Sequence, residues 1–139
     1  MREVTRNHLT LGSGPVKVAV PLLGKTREEL FAELRLLPDG AADLVEWRID
    51  CLSPFPAETE FLALAREVKT ALGTLPLLIT FRSLTEGGKL PLDAIDYTGL
   101  QLRLAEEKIP DFTDVELFSG LKAPASHIAA LKAHGIPVI

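Results

Sequence analysis

Apolar runs of strand length alternate along the chain with segments that have the spacing of a helix face. The strand candidates are short and rich in branched or aromatic residues, and they cover residues 16–21, 43–49, 75–81, 112–117 and 136–139. In the helical candidates apolar residues recur every three or four positions. These cover residues 26–37, 57–72, a stretch that begins near residue 93, and 126–134. Strands that alternate with helices of this length predict parallel βαβ units.

Local signals agree with these boundaries. Thr26 is followed three residues later by Glu29, which is the pattern of a capping box at a helix start. Gly73 stands directly after the second helical segment, where many helices end in a left-handed residue. The pattern therefore predicts four β/α units and the start of a fifth.

The chain is expected to form one domain over residues 1–139, with a small hairpin in residues 1–14 and the β/α units in residues 15–139. Two architectures fit this order, an open doubly wound sheet or part of a closed barrel. The turn after the first strand reads Pro-Leu-Leu-Gly-Lys over residues 21–25. It has neither the glycine fingerprint of a dinucleotide-binding turn nor a P-loop. Periodicity alone does not decide between the two architectures.

Charged residues share one face of three predicted strands. Side chains alternate between the two faces of a strand, so Leu44, Glu46 and Arg48 lie opposite Val45, Trp47 and Ile49. By the same rule Thr80 and Arg82 share a face of the third strand, and Asp114 and Glu116 share a face of the fourth. Strands buried on both faces are normally continuous apolar runs. Charges near their C-terminal ends therefore favour a barrel interior, where barrel active sites lie.

Two interpretations of this charged face remain open, a structural ion-pair network or a ligand site. Arg48 and Arg82 favour an anionic or polyhydroxylated ligand, because guanidinium groups bind carboxylates in a bidentate fashion. Glu46 is expected to pair with an arginine, since an unpaired buried charge is costly. Glu86 lies in the loop after the third strand, beside Gly87-Gly88, which could hinge a lid or form a flexible surface loop.

Composition excludes several classes of protein. The net charge is −4 and the charges are interspersed, so no basic stripe indicates nucleic acid and no basic amphipathic helix indicates a membrane surface. No apolar run approaches the roughly 18 residues of a membrane span, and the first residues do not resemble a signal peptide. Cys51 is the only cysteine, which excludes an internal disulfide and a multi-cysteine metal site. These features lead us to expect a cytoplasmic protein.

Several short motifs, in order and at consistent spacing, resemble those of type I 3-dehydroquinate dehydratases. Residues 46–50 (Glu-Trp-Arg-Ile-Asp) resemble the family's second strand, and Thr-Phe-Arg at 80–82 followed by Glu-Gly-Gly at 86–88 resembles its third strand and loop. Asp-Val-Glu-Leu at 114–117 is similar to the opening of the family signature, and Val138-Ile139 to its next element.

The resemblance implies a (β/α)8 barrel, of which this chain supplies about the first half. It also implies a lyase of the shikimate pathway that dehydrates 3-dehydroquinate to 3-dehydroshikimate through a lysine imine, with a histidine that moves protons and no metal or cofactor. Glu46, Arg48 and Arg82 would line the substrate pocket, and Glu86 would support the histidine. A homo-oligomer such as a dimer is expected.

The sequence departs from the family in one respect. The positions of the family's catalytic histidine and imine lysine lie beyond Ile139. The chain alone is therefore expected to be inactive, and to associate with itself or with a complementary half-barrel, because a half-barrel has two open sheet edges. The sequence leaves two alternatives: a non-catalytic half-barrel binding or assembly module, and another barrel enzyme such as a sugar-phosphate aldolase or epimerase. The positions of the other reactive residues do not allow them to replace the catalytic histidine or the imine lysine. These residues are His8, His127, His134, Lys17, Lys89 and Cys51.

Overall fold

The computed structural model describes residues 3–118 and 120–139. Strands and helices alternate after an N-terminal hairpin, in the order β1 Val4–Arg6, β2 Leu9–Leu11, β3 Ala19–Leu22, α1 Arg27–Leu36, β4 Leu44–Arg48, α2 Glu58–Leu72, β5 Leu77–Thr80, α3 Tyr97–Glu106, β6 Phe112–Thr113 and α4 Pro124–Ala133. Within those two ranges no helix is both long and apolar enough to cross a membrane.

The main sheet has four parallel strands in the order β3-β4-β5-β6. The spatial order follows the chain order without the reversal that a doubly wound sheet requires. Consecutive parallel strands connected by helices are the arrangement of a β/α barrel. Of the two architectures that fit the sequence, the strand order therefore favours the barrel.

The outer face of the sheet forms the main hydrophobic core with the helices. Val45, Trp47 and Ile49 are at most 2% exposed, as the alternation of side chains predicts. The ring of Trp47 stacks on Phe61 of α2 with centroids 5.5 Å apart. Burial of a large apolar side chain contributes roughly 1.5–3 kcal/mol. This face therefore holds the helices against the sheet and leaves the other face to form the barrel interior.

The N-terminal hairpin covers the base of that interior. Leu9 of β2 packs in a cluster with Leu44, Leu78 and Phe112, one from each of three sheet strands. These three residues have the same side-chain parity as the charged face, so the interior is apolar at the N-terminal ends of the strands and charged at the C-terminal ends. The hairpin thus closes one end, and the polar groups gather at the other.

The predicted strands are longer than the observed ones at both edges of the sheet. The first strand, predicted over 16–21, is Ala19–Leu22, since the N–H of Val18 donates to the Asp43 carboxylate (2.7 Å) rather than to a strand. The fourth, predicted over 112–117, is only Phe112–Thr113. The carbonyl of Asp114 accepts from the side chain of Gln101 (2.8 Å) instead of continuing the ladder.

The predicted fifth strand, 136–139, is not a strand in the structure. It runs parallel to β6 but forms only an isolated bridge between Val138 and Thr113. Pro137 has no N–H to donate to a ladder. Two helix starts also differ: α3 begins at Tyr97 rather than near residue 93, and α4 begins at Pro124.

Candidate functional site

The C-terminal ends of β4, β5 and β6 bring the predicted charged residues to one edge of the sheet. Arg48 is the last residue of β4, Arg82 lies two residues after β5, and Asp114 directly follows β6. The carboxyl ends of parallel strands meet at the same edge, and the side chains of Arg48 and Arg82 are 22% and 27% exposed there. Residues far apart in the sequence therefore form a single polar cluster.

Arg82 is the centre of this cluster. Its Nη1 lies 2.7 Å from Glu86 Oε2 and 3.6 Å from Glu116 Oε1, and its Nη2 lies 2.9 Å from Asp114 Oδ2. Burial alone would lower the pKa of Arg82, but the charges of Asp114, Glu86 and Glu116 outweigh burial and raise it. Arg82 is therefore a permanent cation that holds three carboxylates from two segments of the chain.

Negative charge exceeds positive charge around Arg82. Glu116 is 2% exposed, and its Oε1 accepts the backbone N–H of Ser83 at 2.7 Å. Burial raises the pKa of Asp114, and the neighbouring charges of Glu116, Glu46 and Glu86 raise it further, against the opposing effect of Arg82. Such an excess of carboxylates can stabilise a further cation at this edge, such as a protonated imidazole or iminium group.

Arg48 has donors that no residue uses. Its Nε and Nη2 each donate to one carboxylate oxygen of Asp50, both at 2.8 Å, and its Nη1 has no partner in the described part of the chain. The side chain is 22% exposed. Arg48 therefore presents a free guanidinium edge to the barrel mouth, as a residue that binds an anion or hydroxyl groups requires.

The expected pairing of Glu46 with an arginine is wrong in this structure. Arg48 pairs with Asp50, and Arg82 pairs with carboxylates after β5 and β6. Glu46 makes no ion pair with any residue of 3–118 or 120–139. Asp50 was not among the predicted site residues. Its signal in the sequence is an acidic residue two positions after an arginine that ends a strand, in a short turn that brings its carboxylate back to that arginine.

Helix α3 supports the end of β6 from the outer side. Gln101 donates to the carbonyl of Asp114, and Tyr97 donates to the same carbonyl at 3.3 Å. Burial raises the pKa of Tyr97 to about 12, so it acts as a neutral donor. His127 of α4 is 2.6 Å from Gln101 Oε1 through its Nε2. Since the Gln101 amide nitrogen already donates to Asp114, the imidazole must donate here.

The remaining candidate groups lie away from the cluster or are unsuited to catalysis. Lys17 precedes β3, at the opposite end of the strands, and Lys89 is exposed. His8 and His134 are exposed. Burial raises the pKa of the Cys51 thiol, and the charge of Asp50 raises it further, so the reactive thiolate is disfavoured.

A parallel sheet in consecutive order, with helices outside and a polar cluster at the strand ends, defines part of a β/α-barrel protein. The chain belongs to the type I 3-dehydroquinase family, whose model matches residues 18–139. The family match argues against the sugar-phosphate aldolase or epimerase alternative.

Relatives of known identity support this family assignment. The chain is 35% identical over 136 residues to the 3-dehydroquinate dehydratase of Klebsiella pneumoniae (strain 342), covering 98% of this chain and 54% of that protein. It superimposes on the type I 3-dehydroquinate dehydratase of Clostridium difficile, crystallised with covalently modified comenic acid, with a TM-score of 0.88 and 30% identity, over 99% of this chain and 54% of that one. For the Enterococcus faecalis 3-dehydroquinate dehydratase the TM-score is 0.86 at 32% identity, over 97% and 56%.

The chain thus spans about half the length of the relatives it matches. The predicted family and the predicted barrel fold are confirmed. The roles assigned to Glu46, Arg48, Arg82 and Glu86 stay predictions.

Proposed function

We propose that these residues form the substrate-positioning part of a site that dehydrates 3-dehydroquinate to 3-dehydroshikimate through a lysine imine. The observation that carries the proposal is the free guanidinium edge of Arg48 beside the acidic cluster around Arg82. 3-Dehydroquinate is a polyhydroxylated carboxylate with a ketone. Its negative and hydroxyl groups suit Arg48, and its hydroxyl groups suit the unpaired carboxylate of Glu46.

The charge excess of the cluster fits imine chemistry. An imine formed from the ketone withdraws electrons, so the neighbouring C–H becomes acidic, and protonation of the imine nitrogen gives a cation. The proton leaves that carbon, the hydroxyl group at the next carbon leaves, and a general acid protonates it to water. Carboxylates near Arg82 would stabilise both the iminium and an imidazolium. Glu86 would orient the histidine that moves the protons.

We further propose that the 139 residues do not complete this reaction alone and that the lysine and histidine come from another segment or chain. Lys17 is at the wrong end of the strands, Lys89 is exposed, and His127 lies behind β6 against α3. Among the described residues, none of these three side chains forms an ion pair with Glu86, Asp114 or Glu116. The described part of β3 pairs only with β4, which supports association of its open edge with a complementary half-barrel or a second copy.

Borohydride trapping tests the proposed function. The 139-residue protein, of 15.1 kDa, is incubated with 3-dehydroquinate and borohydride and weighed intact. The same is done for a chimera in which the later segment of the Klebsiella relative follows residue 139. We expect a reduced adduct and 3-dehydroshikimate only with the chimera, and neither in a control without substrate. An adduct on the 139-residue protein would contradict the division of the site, and a folded chimera without adduct would contradict the proposed reaction.

The alternative is a non-catalytic half-barrel that binds or assembles. It is favoured by one observation, that no lysine of residues 3–118 or 120–139 pairs with the carboxylates of Glu46, Glu86, Asp114 or Glu116. It predicts binding of 3-dehydroquinate by the 139-residue protein and no turnover by the chimera.

A further inference from the structure

One buried carboxylate after β4 links the two halves of the candidate site. Asp50 is 1% exposed and lies in a single 3-10 turn, Ile49–Cys51. Its Oδ1 accepts from Arg48 Nε (2.8 Å) and from the backbone N–H of Arg82 (3.1 Å). Its Oδ2 accepts from Arg48 Nη2 (2.8 Å) and from the backbone N–H of Lys89 (3.1 Å). Four donors from three separate positions therefore meet on one side chain.

These contacts keep Asp50 ionised. Burial by itself would raise the pKa of this carboxyl, but the hydrogen bond from Arg48 and those from the backbone of Arg82 and Lys89 lower it below its ordinary value. Each oxygen already accepts two hydrogen bonds, so Asp50 has no free position for a proton or a ligand. Its contribution must therefore act through the groups it holds.

The first of these groups is the Arg48 guanidinium. The bidentate bond fixes the plane of the guanidinium through Nε and Nη2, and so fixes where Nη1 points. A free arginine side chain loses rotamer entropy when a ligand orders it. Asp50 removes that cost before the ligand arrives, which is preorganisation of a binding group.

The second group is the loop from Arg82 to Lys89, which carries Glu86. Asp50 binds the N–H at both ends of this loop. The loop is closed further by the N–H of Gly88, which donates to the carbonyl of Ser83 at 2.7 Å. One carboxylate in the turn after β4 therefore sets the position of the loop that follows β5.

We propose that Asp50 is a positioning residue that fixes the Arg48 guanidinium for ligand binding and closes the loop of Arg82 and Glu86 on the end of β4. The inference deepens the proposed function and rests on it for the identity of the ligand. A residue that only stabilises the fold would share the same contacts. The two roles differ in one respect: a positioning residue affects ligand binding only through Arg48 and the loop.

Hydrogen exchange measured by NMR tests the geometry without any ligand. In the 139-residue protein the Arg48 Nε–H and the amides of Arg82 and Lys89 should be protected. In Asp50→Asn an amide NH2 replaces one acceptor, and exchange at Arg48 Nε should be faster by about tenfold or more. Asp43→Asn is the matched control, since Asp43 binds one backbone N–H at the other end of β4 and no arginine. Unchanged protection of Arg48 Nε in Asp50→Asn would overturn the proposal.

A double-mutant cycle tests the functional part, with 3-dehydroquinate as the probe and its Kd as the readout. We expect Asp50→Asn to weaken binding about tenfold in the unsubstituted protein. In the Arg48→Met background the same substitution should weaken binding less, because only its effect through the loop remains. Losses that multiply would show that Asp50 acts independently of Arg48 and would overturn the proposal. If the unsubstituted protein binds no 3-dehydroquinate, the proposed substrate is wrong, while the exchange comparison still decides the role of Asp50.

A second variant covers the case in which Asp50→Asn does not fold. Arg48→Met leaves the Asp50 carboxylate and its two backbone bonds in place. It should bind 3-dehydroquinate more weakly and keep the protected amides of Arg82 and Lys89. Loss of that amide protection would contradict the assignment of the loop to Asp50.

Discussion

At the residue scale, the two arginines of the cluster differ in how many of their donors are already used. Arg82 is shared among Glu86, Asp114 and Glu116. Among residues 3–118 and 120–139, Arg48 is held by Asp50 alone and its Nη1 has no partner. Arg82 is therefore required for the fold of the site as well as for any ligand, whereas Arg48 keeps a donor that a ligand can use.

Replacement of Arg82 should destabilise the protein strongly. Arg82→Met leaves the buried Glu116 beside Asp114 without the cation between them, and breaking such a pair costs about 3–5 kcal/mol. Urea denaturation measures the loss. The control is Arg27→Met, which removes an exposed pair with Glu67 and should change stability little. Equal stability of the two variants would mean that Arg82 does not hold the cluster.

It could be predicted which residues share the charged face, because side chains alternate strictly between the two faces of a strand. That rule grouped Glu46 with Arg48 and Asp114 with Glu116. It could not predict the partner of Arg48, because Asp50 lies in the 3-10 turn after β4, where the alternation no longer applies. The pairing of Arg48 with Asp50 depends on the conformation of this turn. Tertiary contacts determine that conformation, here the hydrogen bonds from the backbone N–H groups of Arg82 and Lys89 to Asp50.

At the element scale, the four helices and four of the five predicted strands are present, but several of their ends differ from the prediction. Side chains compete for the backbone groups at those ends: Asp43 takes the N–H of Val18, and Gln101 takes the carbonyl of Asp114. Both contacts join residues more than ten positions apart. A local pattern contains no information about such contacts, so the predicted edge strands were too long.

The loop after β5 depends on the absence of a side chain at Gly88. A Cβ at this position would lie 1.6 Å from the carbonyl oxygen of Arg82. Gly88→Ala should therefore displace the loop, at a cost of about 3 kcal/mol, and expose the amide of Lys89 to exchange. Gly87→Ala is the control: its φ of +87° carries strain but no clash, at about 1 kcal/mol. Similar losses in both variants would contradict the close approach at Gly88.

The contact between α3 and α4 should make stability depend on pH. Burial lowers the pKa of His127, so the unfolded chain takes up a proton at higher pH than the folded one. Neutral His127 therefore contributes to the free energy of unfolding. Its contribution is complete above the unfolded pKa of about 6.5 and is lost as pH falls through that value towards the lower folded pKa. His127→Gln should reduce the slope of unfolding free energy between about pH 7 and about pH 5.

Urea titrations at a series of pH values measure this slope. His134→Gln is the matched control, because His134 is exposed just after the same helix, and its slope should equal that of the unsubstituted protein. An unchanged slope in His127→Gln would mean that another group causes the pH dependence.

At the scale of the whole molecule, the barrel interior is divided between an apolar base and a charged mouth. The hairpin cluster around Leu9 closes the base, and the cluster around Arg82 occupies the mouth. The sequence predicted the hairpin as an element, but not its contact with Leu44, Leu78 and Phe112. That contact joins four segments and becomes evident only once the strands lie side by side.

The open edge of β3 should make the 139-residue protein associate. Among the described residues β3 pairs only with β4, and Val16 and Val18, just before it, are 92% and 50% exposed. An exposed apolar strand edge is a template for pairing with another chain. Sedimentation equilibrium should give an average mass that rises above 15.1 kDa with concentration. Val18→Lys should shift the protein towards monomer, because charge on an edge opposes pairing. Leu36→Lys, at a more accessible apolar residue on α1 (79% exposed), should not. If both lysine variants associate as the parent does, contacts elsewhere drive association and the β3 edge is not the interface.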